Sequence, residues 1–238
     1  CEESTKIASQ NRERAGECAE AALVVAECAP GGELFKMRLA GFCWGHIGNA
    51  CRLKIATGVS GAFEVADCAF ARCAELWMAG AAGDPYGLLD AGRVLWLEAA
   101  LRKDQGRLTE ALRMLDEAMP MAAKELQPFL RVSYGIVLEF LGDSERAIRV
   151  LEEAAENAPR QLLFYARFNV GVNLCHLGRH EEAEGMLPEV ERLALETESR
   201  GNEVLTRWLS GRIAAGRGRK EEALGRFRSL KTELLVGG

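Results

Sequence analysis

The sequence has no apolar run approaching the roughly 18 residues that a membrane-spanning helix requires, so no helical membrane anchor is expected within it. It has no block of one charge sign either. Its 30 basic and 35 acidic residues are interleaved, and a net charge of −5 spread in this way gives no electrostatic footprint for direct nucleic-acid binding. The most basic stretch, Arg212 to Arg226, is broken by Glu221 and Glu222 and reads as a solvated helix boundary. No two of the eight cysteines form a CxxC pair, and the sequence shows no signal-peptide pattern, so a secreted disulfide framework is not expected. Several stand in apolar helical stripes, as Cys18 and Cys28 do with Ala22 and Val25, where cysteine acts as a small buried hydrophobe. A cytoplasmic protein with reduced thiols is therefore expected.

Catalytic signatures are equally scarce. There are three histidines and no GxSxG, HExxH, P-loop or GxGxxG pattern, so no enzymatic activity and no cofactor are expected. His176 and His180 flank Gly178 and do not share a helical face. Cys51 lies more than two helical turns from Cys43, so Cys43, His46 and Cys51 do not make a four-ligand zinc set and read as buried packing residues. Acidic pairs such as Glu152–Glu153 and Glu181–Glu182 point to different sides of their helices and read as solvated faces.

Aromatic residues make up only 7% of the chain, while 48% of it is apolar, much of that alanine and leucine. This composition favours helix over strand and supplies ample material for a core. The chain begins at Cys1 rather than at a methionine, which reads as a fragment of a longer chain or the ordered part of one.

A repeat organises the sequence. Phe129 to Pro159 reads as one helix-turn-helix unit, with Gly142 at its turn, Ala147 five residues on and Leu151 four beyond that. The same Gly-x4-Ala spacing starts at Gly16, Gly61, Gly106, Gly178 and Gly218, with Val25, Phe70, Leu115, Leu187 and Phe227 four residues past each alanine. The glycine ends one helix and frees the reversal, the alanine lets the second helix approach the first, and the larger apolar residue fills the groove beside it. On this spacing the expected hairpins are 3–28, an irregular one at 33–78 with an over-long first helix, then 86–125, 128–159, 164–197 and 203–236. Pro188 falls inside a second helix and is expected to bend or interrupt it.

Gly135, Leu138, Gly142, Ala147, Leu151, Ala154 and Pro159 resemble the tetratricopeptide repeat, a family of helical hairpins in which small residues recur at helix crossings. The likeness is specific over 90–236 and weaker before it. The aromatic often found at the fourth position of the first helix is replaced by Leu95, Arg131, Arg167 and Arg207. The resemblance implies one all-α domain over 1–238, a right-handed superhelix (α-solenoid) of about twelve helices, with a concave side lined by the first helix of each repeat.

It also implies a non-enzymatic interaction role, with a peptide or partner segment bound in that groove. Carried over position by position, the groove residues are Arg93, Trp96 and Lys103, then Phe129, Val132 and Ile136, then Tyr165, Phe168, Asn169 and His176, then Trp208 and Arg212. Trp96, Phe168 and Trp208 could equally pack between helices. Val132, Ile136, Leu205 and Leu209 stand where a carboxylate clamp needs polar and basic side chains, so an apolar segment with some acidic character fits better. The alternative that the resemblance offers is a sensory or regulatory region of a larger bacterial signalling or transcription-regulating protein, with self-association or a flanking domain at its uncapped ends.

Overall fold

The computed structural model describes residue 4 and residues 11–54, 61–156 and 158–236. Among these residues the chain is all-α, with two short 3-10 turns at Ala81–Gly83 and Lys124–Leu126 and no strand. It divides into two compact units, Cys1–Leu126 and Gln127–Gly238. The first holds α1 (Arg12–Glu27), α2 (Glu33–Lys54), α3 (Ala62–Ala79), α4 (Ala91–Asp104) and α5 (Leu108–Ala118). The second holds α6 (Gln127–Phe140), α7 (Ser144–Ala155), α8 (Arg160–His176), α9 (His180–Glu196), α10 (Arg200–Gly216) and α11 (Lys220–Val236).

Each turn from α4 onward that carries one of the repeat glycines is built in the same way. Gly106, Gly142, Gly178 and Gly218 have φ of +76°, +84°, +74° and +79°, a left-handed conformation that a Cβ disfavours. In each the glycine N–H donates three residues back and the next residue's N–H donates five back, as in Gly142 to the Glu139 carbonyl and Asp143 to the Leu138 carbonyl. This is the Schellman arrangement, and it satisfies carbonyls that the helix end would otherwise leave unpaired. Asp143 then caps the helix that follows by accepting from the Arg146 N–H at 3.3 Å.

Behind the turns, Ala66, Ala111, Ala147, Ala183 and Ala223 are all buried, as are Phe70, Leu115 and Leu151. Helices therefore pack in hairpins, α4 with α5, α6 with α7, α8 with α9 and α10 with α11. In the second unit each first helix also lies against the next, α6 on α8 and α8 on α10, while α7 contacts α8 and α9 contacts α10. Two of the three arginines standing at the aromatic position of the first helix reach carboxylates on their own second helices: Arg167 to Glu189 at 3.4 Å and Arg207 to Glu233 at 2.6 Å.

The register expected at the N-terminus is corrected. Gly16 is no turn, because α1 starts at Arg12 under an Asn11 cap that accepts from the Arg14 N–H, and runs through Gly16 to Glu27. Ala21 and Val25, expected at the crossing, are exposed, and the buried face is Ala15, Ala19 and Ala26 instead. A capping asparagine outweighed a lone Gly-x4-Ala match. Most of the polar stretch expected as the preceding helix lies outside the described residues, although Ser4 is helical and its hydroxyl donates to the Ala15 carbonyl at 2.7 Å.

Other boundaries move by a few residues. Helix α8 begins at Arg160 directly after Pro159, and α10 begins at Arg200, where the Ser199 hydroxyl accepts from the Asn202 N–H at 3.4 Å. Helix α9 runs through Pro188 without ending. Helix α2 ends, among the described residues, at Lys54; it packs against α1, α3 and α4 and buries Gly41, Gly45 and Gly48 beside Phe42, Cys43 and His46. A Cβ on Gly48 would come within 2.8 Å of the Phe70 ring, so glycine is what permits that approach.

Candidate binding groove

The candidate residues fall into two groups, one in each unit. In the first unit, Trp96 is half-buried and packs against the cluster of Ala66, Phe70, Leu97 and Leu101. Arg93 is half-buried, and Lys103 is half-buried and paired with the adjacent Asp104. Helix α4 holds these three side chains on a surface rich in ion pairs: Arg102 bonds Asp67 and Glu98, and Arg52 reaches Asp104 at 2.5 Å.

In the second unit the first helices bring most of the remaining candidates together. Phe168 is buried, stacked on Phe164 at 5.8 Å, with the Trp208 ring 6.2 Å away on α10. Arg212, one turn beyond Trp208, holds its guanidinium 5.0 Å from the indole centroid. Asn169 is buried and turned back on its own helix, donating to the Tyr165 carbonyl at 2.7 Å. Phe129 is half-buried near the start of α6, and Val132 is buried in it.

Sequence reasoning missed Glu139. It lies at the end of α6, where the Asn173 amide donates to its Oε2 at 3.2 Å and His176 Nε2 comes within 3.7 Å of its Oε1. Burial pushes this carboxyl above its ordinary range, partly offset by the Asn173 hydrogen bond and by Arg212. Burial and then Arg212 hold the His176 imidazole below its ordinary value, so at neutral pH the ring that approaches Glu139 is neutral. The signal for Glu139 was present: it stands three residues before Gly142, as Lys103 stands three before Gly106.

Phe168, Asn169, Trp208 and Glu139 border a cavity of about 600 Å³. Its walls are almost wholly apolar. Phe168 and Val172 come from α8, Leu205 and Trp208 from α10, and Phe227 and Leu230 from α11, while Glu139 and Lys231 supply charge. Volume and lining suit an apolar guest of side-chain or small-molecule size. Of the candidates, Phe168, Asn169 and Trp208 line it; Arg93, Trp96, Lys103, Phe129 and His176 do not, and Arg212 stands outside the lining beside Trp208.

Among the described residues no three His, Cys, Asp or Glu side chains converge as metal ligands, and no helix is long and apolar enough to cross a membrane. The basic stretch near the C-terminus is extensively ion-paired, Arg217 with Glu184 at 3.3 Å and Arg226 with Glu222 at 2.9 Å. Comparison with known families and with curated proteins finds no family model that matches the chain and no curated relative.

Proposed function

We infer that the hairpins are tetratricopeptide-like repeats of an α-solenoid, and that the chain is a non-enzymatic interaction module that holds an apolar partner segment against α8, α10 and α11. The observation that carries this reading is the open apolar cavity of about 600 Å³ walled by Phe168, Trp208, Phe227 and Leu230. Aromatic and arginine side chains at the centre of an apolar surface supply most of the binding energy in protein interfaces. Trp208 is partly exposed and carries Arg212 beside it, whereas Phe168 supports it from below.

The size of the cavity also supports a second reading, a sensory or regulatory region of a larger bacterial protein that takes a small apolar signal there. Affinity capture with the wild-type chain and with a Trp208→Ala, Arg212→Ala double variant tests the site. The double variant is expected to lose the captured protein by about tenfold while its helicity is unchanged. Undiminished capture would remove these residues from the account.

A further inference from the structure

Where α6 meets α8, hydrogen-bond acceptors outnumber the donors that reach them. Asn169 is buried and borders the cavity. Its amide nitrogen donates to the Tyr165 carbonyl at 2.7 Å, which fixes the orientation of the amide and leaves Oδ1 without a donor among the described residues. One turn on, the fully buried Asn173 spends its amide hydrogens on the Asn169 carbonyl at 2.8 Å and on Glu139 Oε2 at 3.2 Å, and its own Oδ1 has no partner among the described residues. Glu139 also borders the cavity, and the nearest donor to its Oε1, His176 Nε2 at 3.7 Å, stands beyond hydrogen-bond reach.

Charge is unbalanced in the same direction. The Glu139 side chain is only 15% exposed, and no lysine or arginine pairs with it among the described residues. Arg212 is near enough to favour its ionised form but lies against the Trp208 indole instead. A carboxylate so placed costs free energy that a countercharge recovers. Phe168 and Val172, each next to one of the two asparagines in sequence, continue the lining as apolar wall. The acceptors stand on α6 and α8, and α8 is already flanked by α6, α7, α9 and α10, so they owe nothing to what packs against α11.

We propose that this corner receives a primary ammonium group on an apolar guest, with Glu139 Oε1 and Asn169 Oδ1 as its acceptors and Phe168 and Val172 against the hydrocarbon that carries it. The ammonium supplies donors and countercharge at once, whereas a carboxylate head would add further acceptors and a second negative charge. The polar end of the guest is therefore basic here, opposite in sign to the acidic character expected from the groove positions. Two sources carry this chemistry, a free apolar amine and a lysine side chain in an apolar polypeptide segment. The inference rests on the cavity as the binding site and adds the chemical class of its guest.

The test titrates the whole chain with hexylamine, with hexanol and hexanoate as matched controls, and with an acetylated, amidated Leu-Lys-Leu peptide, following the side-chain amide signals of Asn169 and Asn173 and the methyl signals of Val172 by NMR. Hexylamine is expected to shift these signals saturably and to bind about tenfold more tightly than hexanol, with hexanoate weakest. Glu139→Gln keeps an acceptor for Asn173 but removes the charge, and is expected to erase that preference while leaving hexanol binding unchanged. Tighter binding of the peptide than of hexylamine assigns the ammonium to a polypeptide lysine, and the reverse order to a free amine; either supports the site. Equal binding of hexylamine and hexanol, indifferent to Glu139→Gln, overturns the ammonium assignment and leaves the apolar cavity standing. No shift at Asn169, Asn173 or Val172 with any of these compounds also overturns it, and capture by the Trp208→Ala, Arg212→Ala variant then decides the cavity by itself.

Discussion

Gly135 on α6 sits so close to Leu151 on α7 that a Cβ at this glycine would lie 2.6 Å from the Leu151 Cγ. Leu151 is fully buried and has nowhere to retreat. Gly135→Ala gains helix propensity of about 1 kcal/mol yet meets an overpacking cost of about 1–3 kcal/mol, so a net loss is expected. Urea unfolding checks this: the midpoint should fall for Gly135→Ala and fall further for Gly135→Val.

The turn glycines make a different prediction, because no atom crowds them. A Cβ on Gly142 would meet nothing within 4 Å, but its φ of +84° is unfavourable for other residues. Gly142→Ala should cost about 1 kcal/mol and Gly142→Asn less, since asparagine tolerates the left-handed region. Thermal unfolding of the two variants gives the order, and equal midpoints would mean that the turn is unstrained.

His46 is fully buried in α2, with its ring 5.0 Å from that of Phe42. Burial, aided by the positive charge of Arg93, depresses its pKa to about 3. Above pH 7 the imidazole is neutral in folded and unfolded chains alike, so it adds no pH dependence. As pH falls below about 6.5 the unfolded chain binds a proton that the folded one refuses, and stability drops by about 1.4 kcal/mol per pH unit until pH approaches 3. The difference between wild type and His46→Gln in urea midpoints at pH 7, 5.5 and 4.5 isolates this effect; parallel curves would contradict it.

Cysteine chemistry should divide by burial. Burial pushes the Cys73 thiol up to about 12, and that of Cys43 upward as well, while Cys28 and Cys68 are exposed. Alkylation of the native protein, read by peptide mass spectrometry, should modify Cys28 and Cys68 first and reach Cys43 and Cys73 only on unfolding.

The turn-and-crossing code was legible in the sequence because it rests on local chemistry. A left-handed glycine and an alanine at a helix crossing leave a fixed spacing, and from Gly61 onward Ala66, Ala111, Ala147, Ala183 and Ala223 are buried where that spacing puts them. At Gly16 the same spacing was a coincidence, overridden by the Asn11 cap. Helix starts at Arg160 and Arg200 were set by Pro159 and Ser199 rather than by the apolar pattern, and the link into α10 turns at Glu198, whose φ of 49° no glycine announced. The groove was less legible. Trp208, Arg212 and Phe168 were visible as candidates, but the contribution of α11 to the cavity and the burial of Glu139 under Asn173 depend on side chains far apart in sequence.

The most direct test of the central claim follows methyl NMR signals of the chain while the captured partner segment is added. The account predicts shifts at Val172, Leu205 and Leu230, which line the cavity, with little change at Val65 and Leu89 in the first unit. Shifts confined to the first unit, with the cavity methyls unmoved, would contradict it.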